Sequence, residues 1–208
     1  MPLAGRAIVV GAGAFGREVL CWLEQSGVSG QMAFIDKAQD ALNRATYPAE
    51  FLGTIEDYHP KAGDSLFMAI GDPDAKRRIG EMLTARGGQF ATLIHPTAVI
   101  ARTATIQEGA VVCPQALVSA DAHVGRLVAL NAMTSVGHDV VLGDYSTLSS
   151  HVDLTGGVQV GDGCFFGSGA RVLPKVRIGT GARIGAGAVI MRNVRAGAVM
   201  YAPPARRL

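Results

Sequence analysis

From Ile94 to Ile190 every sixth residue is large and apolar, running Ile94, Ile100, Ile106, Val112, Val118, Val124, Leu130 and onward without a break. Two residues before each stands a small or β-branched one, as at Ala98, Ala104, Val128, Thr134, Ser146, Cys164 and Ala182. A strict period of six predicts a parallel β-helix made of hexapeptides, each a short strand and a corner. Residues two apart on a strand share a face, so the large residue and its small partner both point inward. One coil buries little by itself, and stability comes from stacking on neighbours. With three faces per coil, residues eighteen apart lie above one another. Gly125, Gly137, Gly143, Gly161, Gly167, Gly179 and Gly185 follow the large residue and read as corners with positive φ.

Ahead of the repeat the pattern changes. Residues 6–10, Arg-Ala-Ile-Val-Val, run straight into Gly11-Ala-Gly-Ala-Phe-Gly16, and Val19, Leu20 and Leu23 then share one helical face. Strand, glycine loop and helix in that order let backbone approach a phosphate and aim helix N–H groups at it. Tight strand–helix packing is the plainer reading of the same glycines. Met32–Ile35 is a second strand ending at Asp36, where an acid can accept hydrogen bonds from a ribose or base. Leu66–Ile70 is a third, ending at Gly71-Asp72 and followed by a helix over Ala75–Arg86. The expectation is a half-Rossmann βαβαβ domain over residues 1–92 and a β-helix domain over 93–208, with a tail from Asn193. Half a Rossmann unit suits a nucleotide sugar better than NAD.

The bulk numbers narrow the function. With 49% apolar and 17% charged residues the chain has a substantial core, and a formal charge of +2 gives no argument for nucleic acid. No apolar run is long enough to span a membrane, and the N-terminus lacks a signal-peptide layout, so a cytoplasmic location is expected. Cys21, Cys113 and Cys164 have no paired spacing, which suggests neither a disulfide framework nor a zinc site. Among the histidines, His59, His95, His123 and His151 read as loop, structural or solvated side chains. His138 is followed by Asp139, a carboxylate able to fix its tautomer. A lone pair of this kind is more often structural than catalytic.

The hexads, together with Gly11–Gly16, Phe34-Ile-Asp36, Ala69-Ile-Gly-Asp72, Ile94-His-Pro96 and Asn131…Gly-His-Asp139, resemble the bacterial hexapeptide-repeat nucleotide-sugar N-acetyltransferases and sialic-acid O-acetyltransferase-like proteins. The resemblance covers essentially the whole chain. It implies a left-handed β-helix, a homotrimer with intersubunit sites, acetyl-CoA as co-substrate and a nucleotide sugar held by the N-terminal domain. It further implies substrate contacts at Gly11, Gly13, Ala14, Phe15, Gly16, Asp36, Lys37 and Gly71. His138 is implied as general base, Asp139 as its partner, and the Gly156 N–H as oxyanion donor. Cofactor contacts are implied at Thr147, Gly156, Ser168 and Ala186. Phe15 stands where the family commonly has His, and Lys37 where a second acid can occur. Lys175, Arg206 and Arg207 are basic candidates for the CoA phosphates.

The eighteen-residue register adds a constraint. Gly156 stacks one coil from His138, whereas Ser168 and Ala186 stack together elsewhere on the prism, so a site shared by two subunits is expected. The expected function is acetyl transfer from acetyl-CoA to the amino group of a nucleotide-linked sugar, by direct attack. Rivals are O-acetylation of a sialic acid or related sugar, a non-catalytic scaffold, and a carbonic-anhydrase-like protein. The last needs three histidines on zinc, and the spacing of His123, His138 and His151 is out of phase with the coil, so no metal is expected.

Overall fold

A computed structural model of the chain describes residues 5–28, 30–43 and 45–203, so Arg206 and Arg207 lie outside the described residues. The N-terminal elements are β1 (Ala7–Val10), α1 (Ala14–Gln25), β2 (Met32–Ile35), β3 (Glu50–Phe51), β4 (Ser65–Met68) and α2 (Pro73–Ala85). The strands form one parallel sheet in the order β3-β2-β1-β4. Helices lie on both faces: Val9 packs in one cluster with Val19, Leu20 and Leu23 of α1, and Ile8 and Val10 in another with Ile79 and Leu83 of α2. A central strand covered on both sides has no polar face, which is why Ala7–Val10 shows no alternation. β3 escapes the sequence reading because it is only two residues long and Glu50 is exposed. α2 starts at Pro73, whose missing N–H costs nothing in a first turn, and Asp72 caps it by accepting from the Ala75 N–H at 2.9 Å.

From Leu93 the chain winds as a triangular β-helix of two-residue strands. The first face has seven strands, from Leu93–Ile94 to Val199–Met200. The second has six, from Val99–Ile100 to Val189–Ile190, and the third five, from Thr105–Ile106 to Arg177–Ile178. Ladder partners lie one coil apart, as in Ser135↔Asp153 and Val141↔Gln159. The inward hexad residues form one continuous core from Val112 to Val194. Ile94 departs from the pattern and is 41% exposed, because it sits in the first coil with no earlier coil to cover it. The tail also differs from expectation. Val194 bridges Ile178, and Val199 pairs with Arg183, so a last coil two residues short continues the ladder after the hexad register has ended.

The corner glycines require a second correction. Gly143, Gly167 and Gly179 do not have positive φ. A Cβ on Gly143 would stand 2.5 Å from the carbonyl carbon of Gly161, and one on Gly167 would stand 2.5 Å from the Ala186 nitrogen. These glycines are there so that successive coils can approach. Positive φ falls two residues later, at Gly157, Gly163 and Gly169, but also at Asp121, Asp139, Tyr145 and Lys175, which accept the left-handed conformation at some cost.

The N-terminal domain sits on the first face. There the outward residues Leu93, Val111, Ala129 and Thr147 are buried. Lys76 of α2 is fully buried, and its ammonium donates to the Ser146 carbonyl at 3.1 Å and to Thr147 Oγ1 at 2.7 Å. Toward later coils Arg183 pairs with Asp72 and Asp74 at 3.2 and 2.9 Å. The N-terminal end of α2 therefore points along the prism toward its C-terminal coils.

Candidate active site

His138 lies on the corner between the second and third faces, following the strand Ser135–Val136. Its side chain is 70% exposed, and Nδ1 lies 2.7 Å from Asp139 Oδ2. Asp139 can turn its carboxylate back to the ring because its backbone is left-handed, with φ of 59°. One coil on is Gly156. A Cβ built there would collide with His138 Nε2 and lie 2.5 Å from Cε1, so the ring occupies the room that a side chain would need. Gly157 N–H donates to the His138 carbonyl at 2.8 Å, while no acceptor takes the Gly156 N–H among the described residues. With Nδ1 bonded to a carboxylate, Nε2 is left as the proton-accepting atom. The Gly156 peptide, whose N–H has no acceptor among the described residues, lies one coil below it.

The glycine loop is built residue by residue. Gly11 has φ of 93°, which turns the chain out of β1. A Cβ on Gly13 would meet nothing within 4 Å, leaving the backbone open to a ligand. A Cβ on Gly16 would strike the Gly11 carbonyl, so the third glycine lets α1 start hard against the loop. Intrahelical bonding begins with Arg17 N–H to the Gly13 carbonyl at 3.0 Å, and the N–H groups of residues 13–16 have no acceptor among the described residues. Asp36 accepts the Ala12 N–H on Oδ2 at 2.7 Å and so shapes the loop as well as facing it. Ala14 and Lys37 are exposed, Phe15 and Gly71 half-buried, and Phe15 stacks edge-on against Trp22 with ring centroids 6.2 Å apart.

The other named positions divide. Ser168 and Ala186 stack on the corner between the first and second faces, linked by Gly187 N–H to the Ser168 carbonyl at 2.9 Å. Thr147 corrects the sequence reading: it is 2% exposed, and its hydroxyl is engaged by Lys76 under the N-terminal domain, so it offers nothing to a cofactor. His95 is 5% exposed, held between Gln25 and Thr97 at 2.7 and 2.8 Å, and burial lowers its pKa. His123 is exposed beside Thr105. No three His, Cys, Asp or Glu side chains converge among the described residues. Burial raises the thiols of Cys113 and Cys164, which keeps them protonated and unsuited to hold an acyl group.

Residues 6–83 match the PglD N-terminal domain and residues 157–192 the bacterial transferase hexapeptide repeat. PerB from Caulobacter crescentus, solved with CoA and GDP-perosamine, superposes with a TM-score of 0.87 at 29% identity over 98% of this chain and 97% of its own. The chain has the fold of PerB. Its likeness extends to the acetyltransferase domain of PglB from Neisseria gonorrhoeae in complex with acetyl coenzyme A, with a TM-score of 0.87, 29% identity and 98% of each chain covered. GDP-perosamine N-acetyltransferase of Escherichia coli is 31% identical over 138 residues, which span 63% of this chain and 61% of that protein.

In this protein the glycine loop and the His138 corner are on different sides of the prism. The N-terminal domain covers the first face, and His138 stands on the corner opposite that face. Sequence reasoning missed two functional-looking residues, Lys76 and Arg183. Both are cations whose partners lie far along the chain, and no local pattern marks them.

Proposed function

We propose that this protein transfers an acetyl group from acetyl-CoA to the amino group of a sugar carried on a nucleoside diphosphate. The observation that carries the reading is the His138 imidazole, fixed by Asp139 and lying over Gly156, whose N–H has no acceptor among the described residues. The CoA and GDP-perosamine complexes of similar proteins support the substrate classes. The sugar's amine attacks the thioester carbonyl, forming the C–N bond and a tetrahedral oxyanion that the Gly156 N–H faces. His138 Nε2 takes the proton from nitrogen and returns it to sulfur as the C–S bond breaks, so that N-acetyl sugar and CoA leave. Asp139 orients the ring and stabilises its charged form. The nucleotide's phosphates sit on the N–H groups of Gly13–Gly16, with Asp36, Lys37 and Gly71 at the rim.

The site is made by two copies of the chain in a homotrimer. On the second face Val99 and Leu117 at one end and Val189 at the other are 62%, 40% and 55% exposed, with Ser135, Asp153 and Arg171 between them, a mixed surface that a partner prism can cover. A neighbour packed there carries its Ser168–Ala186 corner toward His138, and its own glycine loop with it. The test is to incubate purified protein with acetyl-CoA and GDP-, UDP- and dTDP-linked amino sugars, following the mass of the sugar nucleotide. A gain of one acetyl group only on sugars with a free amine is the expected result. Acetylation of a sugar with hydroxyls alone replaces the N-acetyl reading with O-acetylation, and no transfer to any of them overturns both.

A further inference from the structure

The helix α2 is held to the prism by different means along its length. Ile79 and Leu83 pack in one apolar cluster with Leu127 and Tyr145 of the prism. A Cβ on Gly80 would lie 2.6 Å from Leu127 Cδ1, so the helix rides close to the first face there. One turn earlier Lys76 is buried on Ser146 and Thr147, and Arg77 lies over the Tyr145 ring, 5.1 Å from its centroid. From Gly80 to Asp72 is about 12 Å of helix. At that leading end Arg183 Nη2 donates to Asp72 Oδ2 at 3.2 Å and to Asp74 Oδ2 at 2.9 Å, across 111 and 109 residues of chain. Among the described residues these are the only ion pairs between the N-terminal domain and the prism.

Each side of this bridge adjoins a substrate seat. Asp72 follows Gly71, and the segment before it leans on the glycine loop: a Cβ on Gly11 would stand 3.0 Å from Ile70 Cγ1 and 3.3 Å from the Ala69 carbonyl oxygen. Asp72 stays charged, because the Ala75 N–H foremost and then Arg183 hold its carboxyl below the usual range, against the upward push of burial. On the other side, Arg183 opens the strand that runs into the Ala186 corner. Its backbone is fixed between two coils, pairing with Phe165 and Val199, and its N–H donates to the Ala198 carbonyl at 2.9 Å. The guanidinium is therefore carried on a rigid ladder.

We infer that Arg183 is a positioning residue: by holding Asp72 and Asp74 it sets the distance between the sugar-nucleotide loop and the Ser168–Ala186 corner of one chain, a role that rests on the acetyl-transfer reading above. Both seats then meet the neighbour's His138 corner in a fixed relation. An exposed ion pair adds little to stability, so the domains are held together by the apolar cluster and by Lys76. The bridge instead stops the leading end of α2 from rocking about those anchors, and with it the Gly71 rim. A misplacement of about 1 Å between reacting groups costs up to about a hundredfold in rate. A contact that matters little to folding thus matters to transfer.

The test is a mutant cycle read both in kcat and in binding. Arg183→Gln removes the cation. Asp72→Asn with Asp74→Asn removes both carboxylates and keeps a capping oxygen, since Asn caps helices as well as Asp does. With acetyl-CoA and the sugar nucleotide that the wild type acetylates, both saturating, kcat of Arg183→Gln should fall roughly tenfold or more. Calorimetric Kd values for CoA and for the sugar nucleotide, and the melting temperature, should stay close to those of the wild type. The carboxylate variant should show the same loss, and combining all three substitutions should add nothing further. Arg183→Lys, which keeps the charge, should recover part of kcat. Unchanged kcat in Arg183→Gln, or losses that multiply in the triple variant, overturn the positioning role. A raised Kd for either substrate overturns it as well and makes Arg183 a binding residue. If Arg183→Gln does not fold, Asp74→Asn, at a side chain 81% exposed, is read by the same measurements. A wild type that transfers no acetyl group overturns the reading of the reaction, and the positioning role with it.

Discussion

The Nε2 edge of the His138 imidazole fills the space that a side chain on Gly156 would take. Gly156 is not among the residues with positive φ, so its backbone does not call for glycine, and the demand comes from the ring one coil away. Gly156→Ala should therefore fold, expel the imidazole from its seat and lower kcat by something close to the loss from deleting the base. Steady-state kinetics beside a melting curve checks this. Activity within a few-fold of wild type in a stable Gly156→Ala protein means the ring does not work from that seat.

His138→Ala should fold and bind both substrates, since the side chain is exposed and leaves no core cavity. A general base contributes ~10²–10⁴-fold, and kcat should fall by that factor. For an amine acceptor the loss shrinks at high pH, where the amine arrives deprotonated; a hydroxyl acceptor shows no such recovery. Asp139→Asn should cost less, and Asn tolerates the left-handed φ at this corner. The measurement is kcat against pH for all three proteins, and an undiminished His138→Ala removes the catalytic assignment.

Asp36→Ala removes the acceptor of the Ala12 N–H and loosens the glycine loop. KM for the sugar nucleotide should rise and KM for acetyl-CoA should stay nearly constant, because the loop and the His138 corner belong to different sides of the prism. Equal increases in both would place the nucleotide elsewhere.

Mixing two inactive variants probes the shared site. A trimer assembled from His138→Ala subunits and subunits disabled in the glycine loop regains some intact sites if each site draws on two chains. Unfolding and refolding the mixture should restore a fraction of wild-type activity, and the assembled mass should be three times 21.6 kDa. No recovery from a properly assembled mixture argues for a site within one subunit.

Lys76 gives the fold a pH dependence. Burial is the main cause that lowers its pKa to about 7, against a smaller upward pull from Asp72. The folded pKa is below the unfolded one, so between about pH 7 and pH 9 the unfolded chain binds more protons and stability rises with pH. Below the folded value both states are protonated and the slope disappears. At higher pH Tyr58 works the other way, its pKa raised by burial and by its hydrogen bond to Asp64, so the window closes. Lys76→Met keeps the buried stem without the charge and should flatten the rise; melting temperatures across pH 6–9 measure it. An unchanged slope in the variant assigns the pH dependence to other groups.

The hexad period alone determined the β-helix, because each six-residue unit repeats one packing problem and every core position is visible in register. It also determined that residues eighteen apart stack, and so that His138 and Gly156 are neighbours. The strand–glycine–helix order determined the tight loop from Gly11 to Gly16 and the start of the first helix, for the reason that these contacts are local. The reason for each glycine was decided only in three dimensions: Gly143 and Gly167 make room for the next coil, Gly156 makes room for a ring, and Gly11 makes a turn. One symbol in the sequence serves three steric demands. Thr147 fits a cofactor position by count, yet tertiary docking buries it beneath Lys76, seventy-one residues away along the chain.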